Sequence, residues 1–282
     1  MDVPGVALIT GAASGIGAAC AHTFARDGCS GLALLDVNGP ALENLKAEIL
    51  AARSSRDQQL QHPPASADKP PFRIETYMCD VTSEADVAET LTQAAETFTR
   101  LDYVVSAAGI AKKHAGGAAH ATLPDWQRVL DVNLTGTFLV LRTAAQIMLT
   151  QAPLRSSIDG RELQRGVIVN FSSILGAVGV PLSTAYTASK HGVLGLTRTA
   201  SEDLAAQGVR INAVCPGYTE TPMTMGDAVV KEAMDERVRT MVPMGRMGRP
   251  QEIADGVVYL AGGRSSFVCG SALFVDGGYT QR

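Results

Sequence analysis

The sequence predicts a doubly wound α/β fold, a parallel sheet of about seven strands with helices on both faces. Three observations predict it. Short, continuously apolar runs recur at 6–9, 32–35, 101–105, 167–171, 209–214 and 273–275, and strands apolar on both faces belong to parallel sheets covered by helices. Between the runs, apolar residues fall at helical spacing, as in Leu42, Leu45 and Ile49, or Val87, Leu91 and Ala95. A glycine-rich turn joins the first run to a helical pattern, as at the start of a βαβ unit.

In chain order, the first run ends at the glycine-rich turn and the second at Asp36. Phe72, Ile74, Thr76 and Met78 alternate with Arg73, Glu75 and Tyr77 and read as one more strand. The run at 101–105 precedes a long helix over 133–150. The run at 167–171 delivers Ser172 and Ser173 at its C-terminal end, before a helix over 185–204. The run at 209–214 leads into Pro216 and Gly217, Pro250 opens a further helix, and 273–275 closes the sheet. Two segments interrupt the rhythm. Residues 53–71, rich in Ser, Gln, Asp and Pro, read as a mobile surface loop at the N-terminal edge of the sheet. Residues 151–165, with Pro153 and Gly160, read as a second insertion. Both lie in connections, so 1–282 is expected to form a single domain.

Composition narrows the classes of function. Of 282 residues, 46% are hydrophobic and 18% charged, with mean hydropathy +0.09, which is too apolar for a disordered chain. With 24 Lys+Arg against 28 Asp+Glu the net charge is −4, and no dense basic run occurs, which argues against nucleic acid and membrane partners. Cys20, Cys29, Cys79, Cys215 and Cys269 are odd in number and lack C-x-x-C spacing, so a cytoplasmic, reducing compartment is expected. No stretch reaches the roughly 18 uninterrupted apolar residues of a membrane span. His114, His120 and His191 have no metal-ligand company, and no metal site is expected.

Thr10, Gly11, Ala12, Ala13, Ser14, Gly15, Ile16 and Gly17 lie where the first strand meets a helix. Glycines there let the backbone approach a pyrophosphate, and a helix N-terminus offers free N–H groups and a positive dipole end. Any tight strand-to-helix turn also favours glycine. Asp36 follows Gly17 by 19 residues, the spacing at which an acid accepts from both ribose hydroxyls of a bound adenosine. A carboxylate repels a 2′-phosphate, and neither Ser14 nor Val37 supplies a cation, so NAD is expected over NADP. Asp80 and Val81 close the third strand and suit the edge and face of adenine; Asp80 also suits a simple helix N-cap. Tyr186 and Lys190 stand four apart on one face of the helix over 185–204, near the strand end that carries Ser172 and Ser173.

These features together make the chain resemble the short-chain dehydrogenase/reductase family over nearly its whole length. The resemblance rests on the Thr10–Gly17 turn, Asp36, Asp80-Val81, Ser106-Ala107-Ala108-Gly109, Asn133 within Asp131-Val132-Asn133-Leu134, Ser173, Tyr186-x-x-x-Lys190, Pro216-Gly217 with Thr219 and Thr221, and Val275-Asp276-Gly277-Gly278. It implies a Rossmann-type sheet. Ser173 is preferred to Ser172 because it precedes Tyr186 by 13 residues, the family's usual separation. One departure stands out: Ser-Ala-Ala-Gly replaces the family's Asn-Asn-Ala-Gly at 106–109, which removes side-chain hydrogen bonds that brace the sheet centre.

The resemblance implies hydride transfer between a secondary alcohol and nicotinamide, with Tyr186 as general acid and base. A cation about 4 Å from the phenol, at an effective dielectric near 20, contributes roughly 4 kcal/mol, or about 3 pK units. Lys190 is expected to supply it. Ser173 is expected to polarise the substrate oxygen and Asn133 to hold a relay water. Lys190 should also bind the nicotinamide ribose, and Thr219 and Thr221 the carboxamide. Gly11, Ser14, Gly15, Ile16, Gly17, Asp36, Asp80, Val81, Ala107, Gly109, Tyr186, Lys190, Pro216, Gly217, Thr219 and Thr221 form the expected cofactor set. Residues 222–248 match the family's substrate lid. Met223, Met225, Met234, Met241, Met244 and Met247 there suit either core gap-filling or an apolar lid over a bulky hydrophobic alcohol or ketone. The leading reading is an NAD-dependent oxidoreductase of such a substrate. An NADP-linked ketoacyl or ketone reductase and a non-catalytic NAD-sensing module are the alternatives. A homotetramer or homodimer is expected, with Ala144, Ala145, Gly192, Gly195 and Ala200 allowing helices of two subunits to approach.

Overall fold

The computed structural model describes residues 3–60, 71–156, 158–226 and 228–281. Each apolar run forms a strand: β1 (Val6–Thr10), β2 (Gly31–Asp36), β3 (Arg73–Met78), β4 (Tyr103–Ser106), β5 (Gly166–Phe171), β6 (Val209–Pro216) and β7 (Ala272–Val275). They make one parallel sheet in the order β3-β2-β1-β4-β5-β6-β7. The α-helices are α1 (Gly15–Arg26), α2 (Gly39–Leu60), α3 (Glu84–Phe98), α4 (Leu123–Leu130), α5 (Gly136–Leu149), α6 (Thr184–Leu204), α7 (Pro222–Met225), α8 (Ala228–Met241) and α9 (Pro250–Ala261).

Alternation along each strand divides the interior in two, because successive side chains leave a strand on opposite faces. Ala7 and Ile9 of β1, with Leu32 and Leu34 of β2, meet Phe24 of α1, Leu42 and Ile49 of α2 and Val257 of α9. Val6 and Leu8, with Ala33 and Leu35, meet Val87 and Leu91 of α3, Leu139 and Ala144 of α5 and Ala200 of α6. On the edge strand β3, Ile74 is buried while its neighbour Arg73, on the other face, is exposed, which fits the alternation of this strand in sequence where the inner ones are wholly apolar. β1 pairs with β2 on one side and β4 on the other, so the winding reverses there. Doubly wound sheets open their ligand crevice at that switch point, outside the C-terminal strand ends. Thr10 and Ser106, opposite one another in register, mark it.

Two expectations need correction. The segment 53–71 is not a loop throughout: α2 continues to Leu60, and residues 61–70 lie outside the described residues. The extension has anchors that composition hides. Arg53 donates to Ala25 O at 2.6 Å and Arg56 to Arg26 O at 2.7 Å, so α2 caps the C-terminal end of α1, and the Arg53 guanidinium lies 3.9 Å from the centre of the Phe72 ring. The segment 151–165 carries an antiparallel pairing of Arg155 with Glu162. Gln151 at its base bonds Leu101 N at 2.7 Å and Leu101 O at 2.9 Å. Second, Ala144, Ala145 and Ala200 are buried in the chain's own core against the sheet, so they are not available to a second subunit; Gly192 is half-buried and Gly195 exposed.

The helical run Leu123–Leu149 is long and apolar enough to cross a membrane by length and composition, but 61% of its most apolar window is buried inside the fold. Between α4 and α5 it widens into a π turn, Asp131–Thr135. Such turns displace one residue from the regular helix face, and here that turn seats Asn133 in the interior.

Candidate active site

A cleft of about 430 Å³ opens at the switch point, within the usual range for small-molecule sites. It gathers Gly11, Ser14, Gly15, Ile16, Gly17, Asp36, Asp80, Val81, Ala107, Gly109, Ser173, Tyr186, Lys190, Pro216, Gly217, Thr219 and Thr221. Of the sequence-predicted set only Asn133 stands behind its wall. Its lining runs in sequence from Gly11 to Thr224, so the elements that build the cleft come from most of the chain.

At one end, α1 begins without any side chain to hold it off the strand. A Cβ on Gly17 would lie 2.1 Å from Gly11 O, and one on Gly11, at φ +64°, would lie 2.7 Å from the Ala108 backbone. The helix N-terminus therefore faces the cleft directly. Ser14 caps it in extended conformation with its hydroxyl unbonded to the helix, and the first turn carries no acid. First-turn N–H groups have no intrahelical partner, which suits an anion.

The Asp36 carboxylate is held at the cleft by backbone donors, Ala13 N at 3.1 Å and Asn38 N at 3.0 Å, with lone pairs left over. Asp80 accepts from Thr82 N at 2.9 Å and Thr82 Oγ1 at 2.7 Å; these bonds, aided by Arg128, hold its carboxyl below the usual range. The N-cap of α3 is Ser83, which accepts from Asp86 N, so the capping alternative for Asp80 falls away. Arg128 of α4 lines the same end. It is a cation that the sequence reading did not name, and it reaches the cleft beside Asp80.

At the other end, burial governs the chemistry. Burial pushes the Tyr186 phenol up, and its hydrogen bond with Ser173 pulls the other way without overcoming it. Burial also drives Lys190 down to about 8. The expected lowering of the phenol by a facing ammonium is not what these residues do by themselves: Lys190 Nζ donates to Phe171 O at 2.8 Å and stands 5.5 Å from the Tyr186 ring centre. Ser173 Oγ accepts from Leu175 N at 3.1 Å, which leaves its proton to donate. Ser172, by contrast, donates to Lys190 O at 2.9 Å and braces α6.

Asn133 clamps the chain beyond Gly109. Its Oδ1 accepts from Ile110 N at 2.8 Å, and its Nδ2 donates to Ile110 O at 2.9 Å and Ser189 Oγ at 3.1 Å. Both amide protons are used, so the side chain can meet a relay water only as an acceptor. The departure at 106–109 has its expected cost: buried Ser106 Oγ has no partner among the described residues, while Ala108 N still bonds Thr10 Oγ1 at 3.2 Å. Of the lid methionines, Met223 lines the cleft. Met234 and Met247 pack into a small core with Ile174, Val238 and Tyr279, as gap-fillers, and Met225, Met241 and Met244 are exposed.

A lysine whose pKa is lower folded than unfolded binds fewer protons folded between the two values, so folding gains as pH rises through that window. We expect the stability of the wild type, measured against Lys190→Met, to rise between the folded value near 8 and the ordinary 10.5, by up to about 3 kcal/mol, and to stay level below pH 7. Urea denaturation at each pH checks this; parallel profiles across the window would contradict it.

Comparison with known proteins extends the pattern to the whole chain. The family model described as "Enoyl-(Acyl carrier protein) reductase" matches residues 11–280. The short-chain dehydrogenase fogB of Aspergillus ruber is 38% identical, over 99% of this chain and 98% of its own. The cis-4-hydroxycyclohexanecarboxylate dehydrogenase of Sinomonas cyclohexanicum is 40% identical, over 98% and 96%. The crystal structure of levodione reductase superposes with TM-score 0.82 at 32% identity, over 99% and 98%. With relatives this similar from end to end, the chain belongs to the short-chain dehydrogenase/reductase family and is an oxidoreductase acting on CH–OH groups.

Proposed function

We propose that the protein interconverts a hydrophobic secondary alcohol and its ketone with NAD(H), Tyr186 serving as general acid and base. The observation that carries the reading is a single cleft with Asp36 at one end and hydrogen-bonded Tyr186 and Ser173, beside Lys190, at the other. The residues fit a dinucleotide: the bare approach of Gly17 to Gly11 leaves α1 open to a pyrophosphate, and the anchored Asp36 carboxylate suits two ribose hydroxyls. When bound, the nicotinamide ring supplies the hydride acceptor or donor.

The chain's own residues then handle the proton and the substrate oxygen. Ser173 donates to that oxygen with the proton its contact to Leu175 leaves free. Tyr186 Oη takes the hydroxyl proton in oxidation once its own proton has passed to solvent, and as the phenol it donates a proton to the carbonyl oxygen in reduction. Lys190, anchored on Phe171 O, supplies positive charge in a region sheltered from water, where charge acts over longer range. Ile110, Val132 and Met223 give the cleft apolar walls, which supports a hydrophobic substrate. The compound in the name of the Sinomonas relative carries its hydroxyl on a ring carbon, which supports a secondary alcohol, though that compound also bears a carboxylate.

NAD is favoured because a carboxylate at Asp36 repels a 2′-phosphate. Arg128 favours a second reading, an NADP-linked ketoacyl or ketone reductase, supported by the 3-oxoacyl-[acyl-carrier-protein] reductase FabG of Thermotoga maritima at 34% identity. Its proximity to Asp80, which it helps to hold ionised, weakens that reading. A homotetramer or homodimer is supported by exposed apolar side chains, Phe267 and Leu123 foremost, and a cytoplasmic setting by the free cysteines.

Three outcomes follow. Tyr186→Phe should lower kcat by about 100-fold or more while NAD affinity stays within a few-fold; retention of over about a tenth of kcat removes the tyrosine from its role. The wild type should prefer NAD to NADP by at least about tenfold in kcat/KM, about 1.4 kcal/mol, and Asp36→Ala should narrow the gap. Equal use of both, lost for NADP alone in Arg128→Ala, would establish the second reading instead. Light scattering should give a mass of two or four chains, and 29.5 kDa would refute assembly.

A further inference from the structure

The loop after β6 carries three threonines into the cleft, Thr219, Thr221 and Thr224, and their hydrogen bonds allow the protons to be assigned. Thr224 Oγ1 accepts from Thr221 N at 3.0 Å. Its single proton faces two carbonyls, Thr219 O at 2.6 Å and Thr221 O at 3.0 Å. A hydroxyl has one proton, so Thr224 cannot also donate to Thr221 Oγ1, 3.3 Å away. In that contact Thr221 is therefore the donor. Thr219 Oγ1 donates to Gly217 O at 3.0 Å. Both hydroxyls spend their protons on the chain; Thr221 also accepts from the Thr224 backbone in the capping box of α7, and each side chain, lining the cleft, keeps a lone pair to spare.

We infer that Thr224 is a positioning residue that turns Thr221, alongside Thr219, into a hydrogen-bond acceptor, so that this loop selects the amino end of the nicotinamide carboxamide. The inference rests on the dinucleotide reading and deepens it. An amide offers a donor end and an acceptor end of nearly equal size, and shape discriminates poorly between them. Two acceptors side by side do discriminate, because the carbonyl end would leave lone pair facing lone pair in a partly buried site. Thr224 is itself the third residue of α7, which Thr221 caps and which carries the cleft residue Met223, so one hydroxyl joins the cofactor loop to the lid.

The test compares equilibrium binding of NAD with that of its 3-acetylpyridine analogue, in which a methyl group replaces the amino group. The wild type should bind NAD about tenfold or more tightly than the analogue, the worth of one good hydrogen bond. In Thr224→Val that ratio should fall to within about threefold, as the freed Thr221 hydroxyl rotates, and in Thr224→Ser it should return. A structural fault would weaken both dinucleotides and leave their ratio alone, and unchanged 5′-AMP affinity in Thr224→Val shows that the adenosine end is intact. A ratio that is the same in Thr224→Val as in the wild type, or a wild-type ratio near one, overturns the inference while the dinucleotide reading stands. Failure of the wild type to bind either dinucleotide removes both.

Discussion

The site rests on the close approach of two residues without side chains, where a Cβ on Gly17 would lie 2.1 Å from Gly11 O. With Gly17 against Gly11 O, α1 starts directly beside the end of β1, and its unpaired first-turn N–H groups face the crevice where the sheet reverses its winding. Any larger residue would force apart the helix and the strand, and with them the phosphate-sized opening that the rest of the cleft surrounds. Asp36 depends on the same contact, since one of its carboxylate oxygens is held by Ala13 N within that turn. The wall opposite depends on it too: Ala108, against which Gly11 packs, continues into Gly109 and Ile110, and Asn133 clamps Ile110 from the π turn.

The far end of the cleft is shaped by desolvation. Tyr186 and Lys190 sit where water is largely excluded, and their ordinary ionisation is disfavoured in opposite senses, the phenol held protonated and the ammonium weakened. That moves the two groups apart in pKa, from nearly equal values in water to a phenol above its ordinary value and an ammonium near 8, and such a separation of neighbouring titratable groups is what divides acid and base roles in a site. Ser172 fixes the backbone at Lys190 and Phe171 O takes its ammonium, so the pair is held by the end of β5 and does not depend on a flexible loop.

Much of this was legible in the sequence, and the reasons it was or was not are specific. Strands buried on both faces declare themselves as unbroken apolar runs, and Asp36 and the Tyr186–Lys190 pair declare themselves by spacing, because each acts within one element or one βαβ unit. Arg128 and Thr224 were not legible: each matters through neighbours brought together by the fold, Asp80 in one case and Thr219 and Thr221 in the other. The small residues of α5 and α6 were misread for a related reason. Ala144, Ala145 and Ala200 have the size that a subunit contact requires, but the same size serves helix-on-sheet packing, and only burial tells the two apart. In 53–60, composition suggested a loop, while long-range bonds from Arg53 and Arg56 to the end of α1 extend the helix.

The account's central claim is that one cleft holds a dinucleotide in a single direction, adenosine at Asp36 and nicotinamide beside Tyr186. A crystal structure of the protein with NAD bound tests it most directly. The account expects the pyrophosphate at the first turn of α1, the adenosine ribose on the Asp36 carboxylate, and the carboxamide on Thr219 and Thr221. A dinucleotide bound in the reverse direction, or bound away from Gly11–Gly17, would contradict it.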